Sequence, residues 1–370
     1  MRGPAVLPIV IAAGGTGGHF FPAEALASEL LVRCRRVALM TDARSGGLQS
    51  PVFADLERFV IKGAGIAGRG AWRGGTAAAA LAGGVLQARR ILARINAGVV
   101  VGFGGYPSVA PVLATRLMRR RPAVILHEQN AVLGRANRLL ARRADRLALS
   151  FAATTRVPDV ATMVTGNPVR SAVAALADTR YVPPTDNIRL LVLGGSLGAR
   201  VFSDVIPAAI ASLPEHLLAR ISIAQQCRPE DLGRVRATYD LAGIEAHLSP
   251  FFPDVAQQLA SAHLVIARAG ASTVAELAIA GRPAILVPLP GAIDDHQAAN
   301  ARALVEARGA SIIAQREFTP EALRDRLAPL LAETDLLNHA AIAARTLARP
   351  DASARLADLV EELMPQEMNA

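Results

Sequence analysis

Cysteine is scarce: Cys34 and Cys227 are the two present, far apart and not in Cys-x-x-Cys spacing. That argues against a disulfide framework and fits a reducing compartment. Aromatic residues are 4% of the chain, with one Trp and three Tyr. The cores must therefore be aliphatic, and little surface is left for stacking nucleic-acid bases. Lys62 is the only lysine among 40 basic residues, in an Ala-rich chain, so the Arg excess reads as coding bias rather than function. No uninterrupted span of about 20 apolar residues occurs, and no bilayer-crossing helix is expected. The run Val6–Ala13 is too short to span, and without a charged start and cleavage site it is not read as a signal peptide. The 30 Gly and 23 Pro follow no period, which excludes fibrous classes. With 52% hydrophobic and 19% charged residues, a disordered chain is excluded as well.

What is present is enough for two cores, since 370 residues at about 150 per domain suggest two domains. Charge divides between them. Residues 1–170 hold 23 basic and 8 acidic side chains, net +15, and residues 171–370 hold 17 and 23, net −6. A basic half implies an anionic partner: nucleic acid, an acidic membrane surface or a phosphorylated substrate.

Short aliphatic runs alternate with helix-length segments. Strands are expected at Val6–Ala12, Val37–Met40, Val99–Val101, Ala123–Leu126 and Arg146–Ala148, with helices such as Phe21–Val32 and Gly134–Arg142 between them. The pattern restarts with strands at Ile188–Leu193, Ile221–Ala224, Glu245–Leu248, Leu264–Ala267, Ala284–Val287 and Ser311–Ile313. Continuous apolar strands followed by helices predict parallel sheets covered on both faces. The glycine turn that begins at Gly14 has a counterpart at Gly194, 180 residues later. The expected fold class is α/β, with two Rossmann-like, doubly wound parallel-sheet domains facing across a cleft. The expected division is 1–165, 166–345 and an amphipathic C-terminal helix within 346–370 that packs back on the first domain.

The polar signals fall at strand ends. Gly14–His19 matches neither the dinucleotide fingerprint nor a P-loop. It is either a tight strand–helix turn or an anion-binding turn, in which His19 faces the mouth of the cleft as a candidate general base. Gly102–Tyr106 makes a second glycine loop, where Tyr106 either covers a sugar or caps the loop. His127-Glu128-Gln129-Asn130 follows a buried strand; four such residues are costly to bury without partners. The alternative there is capping of the next helix. Gly194–Gly198 is either a phosphate-type loop, with Ser196 adding a hydroxyl, or a plain strand–helix turn. Ala271-Ser272-Thr273-Val274-Ala275-Glu276 starts a helix whose N–H groups suit phosphate. Glu276 there suits a ribose diol, or serves as a helix-end acid. Asp294-Asp295-His296-Gln297, with Asn300, suits sugar hydroxyls better than a metal.

Taken together these motifs resemble the MurG family of bacterial N-acetylglucosaminyltransferases. The matching stretches are GGTGGH, GFGGYPS, HEQN, GNPVR, GGSLGA, AGASTVAE and DDHQAAN, in order from Gly14 to Asn300. The resemblance implies the GT-B fold and inverting transfer of GlcNAc from UDP-GlcNAc to the muramyl C4 hydroxyl of lipid I. The product would be lipid II, placing the chain in peptidoglycan synthesis and hence in cell shape and division. It implies no cofactor, no essential metal and no nucleic-acid partner. The related alternatives are another GT-B transferase with a different acceptor, or a UDP-GlcNAc 2-epimerase. By motif, the donor would contact Thr16, Gly17, Asn130, Arg170, Ser196, Phe252, Ala271 to Glu276 and Gln297, with Gly18, Tyr106 and Asn300 also substrate-binding. His19 would be the catalytic base, with Glu128 in reserve. The expected location is cytoplasmic, peripheral on the inner face of the plasma membrane, beside other cell-wall synthesis proteins. Ala71–Arg94, with Trp72, Arg89, Arg90 and Arg94, is the candidate helix for an anionic membrane surface. It is poorer in bulky apolar residues than the family pattern, which implies loose binding.

Overall fold

The structure is a computed structural model that describes residues 7–14, 17–42, 50–61, 71–195 and 198–365, with the backbone alone for 71–77. Thr16 and Ser196, both expected at the site, lie outside the described residues, and so does the side chain of Trp72.

The chain forms two compact units. One comprises residues 1–170 together with 351–370, and the other residues 171–350. The first is built on β1 (Ile9–Ala12), β2 (Val37–Thr41), β3 (Glu57–Val60), β4 (Val99–Gly102), β5 (Ala123–Glu128), β6 (Arg146–Leu149) and β7 (Thr162–Val164). All pairings are parallel, in the order β3-β2-β1-β4-β5-β6-β7. The central strands are buried along their whole length, as their unbroken aliphatic runs require. Side chains of β1 alternate between two cores, Ile9 and Ile11 on one face and Val10 on the other.

The second unit holds β8 (Ile188–Leu193), β9 (Ile221–Gln226), β10 (Glu245–Ser249), β11 (Leu264–Ala267), β12 (Ala284–Leu286) and β13 (Ala310–Ile312). These are again all parallel, in the order β10-β9-β8-β11-β12-β13. In each sheet the strand order reverses beside the first strand, between β1 and β4 and between β8 and β11. Such a switch point opens a crevice at the carboxyl ends of the strands. Among the described residues, Gly104 and Gly105 after β4, Gly194 after β8 and the Arg268–Thr273 turn after β11 follow the carboxyl ends of these strands.

Several boundaries differ from expectation for physical reasons. β1 starts at Ile9, after Pro8, which has no N–H to give a ladder. β5 continues through His127 and Glu128, so the first two polar residues of that motif belong to the strand. The first helix starts at Gly17 rather than Phe21 and carries Pro22 within it. The unanticipated strands β3 and β7 are short, outer and largely exposed, unlike the buried runs.

The helix Ala352–Glu362 belongs to the first unit. It packs on helix Gly17–Val32 and buries Leu356, Ala357, Leu359 and Val360 there. Arg33 meets Asp358 and Glu361 at 2.6 and 2.9 Å, and Arg35 meets Glu361 at 2.6 Å. The two cysteines are free, Cys34 exposed and Cys227 buried.

Candidate active site

In the first unit, the loop after β4 is locked before it meets any ligand. Ser108 Oγ donates to the carbonyls of Ala12 and Gly104, both at 2.9 Å. Gly104 has φ +80°, and a Cβ there would sit 3.3 Å from Asn137 Nδ2 and 3.5 Å from His19 Cε1. The positive φ is what favours glycine here, since those contacts are tight to ordinary van der Waals distances. His19 stands in the first turn of its helix, partly exposed, and its imidazole lies against this loop. Its Nδ1 is 3.2 Å from Gln129 Oε1, and Gln129 Nε2 donates to the Phe103 carbonyl at 3.1 Å.

Glu128 is buried and accepts four N–H donors. Oε1 takes the Asn130 backbone N and Nδ2, both at 3.0 Å. Oε2 takes the Gly134 N at 2.8 Å and Asn137 Nδ2 at 2.9 Å. That pattern anchors the turn between β5 and helix Arg135–Leu140. Between the two candidate bases, it leaves His19 the better placed to accept a proton. His127 is fully buried, its Nε2 3.1 Å from the Gly166 carbonyl and its ring 5.3 Å from that of Phe103. Burial holds its pKa down at about 4, so it is uncharged at neutral pH.

The remaining first-unit residues surround this centre less closely. Gly17 is buried and Gly18 exposed at the helix start. Tyr106 lies in the first turn of helix Gly105–Thr115, half exposed. Asn130 is tied to Glu128 as described, and Arg170 stacks its guanidinium 5.0 Å from the Phe21 ring centre.

In the second unit, Gly194 allows a turn no other residue could make, since a Cβ there would fall 2.5 Å from the Ala199 nitrogen. Gln226 holds this loop: Oε1 accepts Gly194 N at 3.0 Å, while Nε2 donates to the carbonyls of Gly195 and Pro250 at 2.9 and 3.1 Å. The second of these links the loop to the turn that carries Phe252. Phe252 is buried, edge-on to His247 with ring centres 5.5 Å apart.

Helix Ala271–Ala280 begins at Gly270, which offers no side-chain cap. Ser272 Oγ is buried and has no hydrogen-bond partner among the described residues. A helix N-terminus with uncapped N–H groups and an unmatched hydroxyl suits an anion. Ala271 and Val274 are buried, while Thr273, Ala275 and Glu276 are partly exposed, with Glu276 in the second turn of the same helix. Gln297 Oε1 accepts Leu289 N at 2.9 Å, which leaves its Nε2 as a donor with no partner among the described residues. Asn300 is fully buried and donates to the Ala269 carbonyl at 3.2 Å, holding the turn before the helix. Arg268 is also buried: it meets the carbonyls of Val287 and Pro288 and Gln315 Oε1, and burial lowers its pKa to about 10. Among the described residues no group of three His, Cys, Asp or Glu is arranged to hold a metal.

The sequence reading assigned no separate role to Gln129, Asn137 or Gln226. Gln225 and Gln226 end β9 much as His127 and Glu128 end β5, so polar residues at the carboxyl end of a buried strand were the available signal. Asn137 gave none, because it reads as an ordinary helix position.

Two parallel-sheet units, each with glycine turns beside its switch point, define the class of two-domain GT-B glycosyltransferases. The glycosyltransferase family 28 N-terminal domain matches residues 9–149, and the C-terminal domain of that family matches residues 189–356. A relative from Granulibacter bethesdensis is 64% identical, over 98% of this chain and 95% of its own. One from Acidiphilium cryptum is 55% identical, over 97% and 98%. Both are named UDP-N-acetylglucosamine--N-acetylmuramyl-(pentapeptide) pyrophosphoryl-undecaprenol N-acetylglucosamine transferase. The crystal structure of Acinetobacter baumannii MurG superposes with a TM-score of 0.79 at 31% identity, covering 96% of this chain and 99% of that one. The chain belongs to this N-acetylglucosamine transferase family, MurG.

Proposed function

We propose that the chain transfers GlcNAc from UDP-GlcNAc to the C4 hydroxyl of the muramyl sugar of undecaprenyl-pyrophosphoryl-MurNAc-pentapeptide (lipid I), forming lipid II with inversion. Beyond family membership, the observation that carries this reading is the start of helix Ala271–Ala280. Its uncapped N–H groups and the unmatched Ser272 hydroxyl fit a nucleotide diphosphate.

In this reading the second unit holds the donor. The Ala271–Thr273 turn and Ser196 bind the diphosphate, Glu276 binds the ribose diol, and the backbone beside Phe252 meets the uracil edge. Gln297 Nε2 donates to a GlcNAc hydroxyl. The first unit supplies the base: His19 takes the C4 hydroxyl proton as that oxygen attacks the anomeric carbon. The bond to the UDP oxygen breaks through an oxocarbenium-like state, and UDP leaves as an anion stabilised by the helix N-terminus and Arg170. By motif, Thr16, Gly17, Gly18, Tyr106 and Asn130 are assigned to substrate binding as well. Asn300 acts on the donor through the turn it holds.

The chain acts at the cytoplasmic face of the inner membrane, held peripherally. No described helix is long and apolar enough to cross a bilayer. Helix Ala71–Ile95 buries Ala88, Leu92 and Ile95 and exposes Leu86, Arg89, Arg90 and Arg94. Exposed cations beside an apolar side chain suit acidic headgroups.

Incubation with UDP-GlcNAc, alone and with a lipid I analogue, tests the reaction. UDP release that requires the acceptor, with a β-linked GlcNAc on the product, is expected. An epimerised UDP-sugar formed without acceptor would replace this reading with an epimerase.

A further inference from the structure

We propose that Gln129 is a positioning residue that fixes the tautomer of His19, placing the proton on Nδ1 and leaving Nε2 as the atom that receives the acceptor's proton. This rests on His19 being the base.

What each group can donate or accept decides the tautomer. A main-chain carbonyl accepts and cannot donate, so the Phe103 carbonyl must face the NH2 of the Gln129 amide, 3.1 Å away. The amide oxygen is thereby turned to His19 Nδ1 at 3.2 Å. That oxygen also only accepts, so Nδ1 must carry a hydrogen. A neutral imidazole has one N–H, and its second nitrogen then carries the lone pair. Gln129 is buried, so water is not freely available to reverse the pattern.

The anchor of this chain is itself fixed. Phe103 is fully buried and its N–H donates to the Ala12 carbonyl at 3.0 Å. A Cβ built on Gly104 would lie 3.5 Å from His19 Cε1, and one built on Gly105 3.6 Å from Cδ2 and 3.8 Å from Nε2, so the two glycines keep the space beside Nε2 clear of side chains. The glycine loop leaves Nε2 approachable, and Gln129 sets which nitrogen is basic. His127, the neighbouring titratable ring on β5, is kept uncharged by burial.

Nitrogen-15 spectra of the histidine-labelled full chain read the tautomer directly. The wild type should show His19 protonated at Nδ1 with Nε2 unprotonated, and Gln129→Leu should move the proton to Nε2. In the same variant kcat should fall about 10–100-fold, with the KM for UDP-GlcNAc within about twofold, because tautomer does not alter donor contacts. Gln129→Glu keeps an acceptor at Nδ1. Its second oxygen has no hydrogen for the Phe103 carbonyl, so it should retain the wild-type tautomer and recover part of the kcat lost in Gln129→Leu, with the acid limb of the profile moved upward. A wild-type His19 protonated at Nε2 would overturn the proposal even if no variant folded. A folded Gln129→Leu with wild-type kcat and tautomer would overturn it too. Near wild-type turnover in His19→Ala would instead remove His19 as the base, while the spectra still reported on Gln129.

Discussion

Glu128 and Asn137 are joined by a 2.9 Å hydrogen bond from Nδ2 to Oε2, across the turn that separates strand β5 from the helix after it. Asn137 Nδ2 also reaches the His127 carbonyl at 3.1 Å. With Asn130 and Gly134, these contacts make Glu128 the centre of the turn. In Glu128→Gln one oxygen becomes a donor that faces other donors. Leaving buried N–H groups unmatched costs about 1–3 kcal/mol, and a lower Tm for the first unit is the expected result. Unchanged Tm with kcat abolished would instead return Glu128 to the role of base.

His19 and Glu276 should separate in kinetics. Removal of a general base costs about 100- to 10,000-fold in kcat, so His19→Ala should lower kcat on that scale with little change in the KM for UDP-GlcNAc. Glu276→Ala should raise that KM about tenfold or more through loss of a charge-assisted hydrogen bond, and leave kcat at saturation within a few-fold. Initial rates over a donor titration decide this, and a reversed pattern would exchange the assigned roles.

Stability should fall on acidification before the carboxylates titrate. Burial holds His127 and His263 at about 4 in the folded chain, against about 6.5 for a free imidazole. Between those values the unfolded chain binds more protons, so folding loses free energy as pH falls from 6.5 to 4. The contribution is complete above 6.5 and changes no further below 4. For His127, which is fully buried, the loss is on the order of 1–3 kcal/mol. Thermal melts between pH 7 and 4.5 should show His127→Gln less pH-sensitive than the wild type. Identical slopes would mean that His127 is not held neutral.

Membrane attachment should be electrostatic and weak. At low salt the chain should float with anionic vesicles and not with neutral ones, and replacement of Arg89, Arg90 and Arg94 by Gln should reduce flotation, at about 1 kcal/mol per cation near the surface. Equal recovery with both vesicle types would reject the charge-based attachment.

Both sheets were legible as sequence because their central strands are continuous aliphatic runs, a pattern imposed by burial on both faces. β3 and β7 were not, since short, exposed outer strands carry no such pattern. Among candidate site residues, His19, Glu128 and Ser272 announced themselves by chemistry beside glycine turns. The residues that hold the surrounding loops were harder to read. Gln129, Asn137 and Gln226 act through geometry that arises only when loops distant in sequence converge, as Gln129 and Phe103 do across 26 positions. Sequence spacing records that a polar residue sits at a strand end, but not which carbonyl it will meet.

The most direct measurement follows labelled GlcNAc from UDP-GlcNAc onto a lipid I analogue, with and without EDTA. Labelled lipid II at equal rates in both is the predicted result. Product lost in EDTA would contradict a reaction run by side chains and helix N-termini alone. No labelled lipid in either, with UDP-GlcNAc still bound, would contradict lipid I as the acceptor.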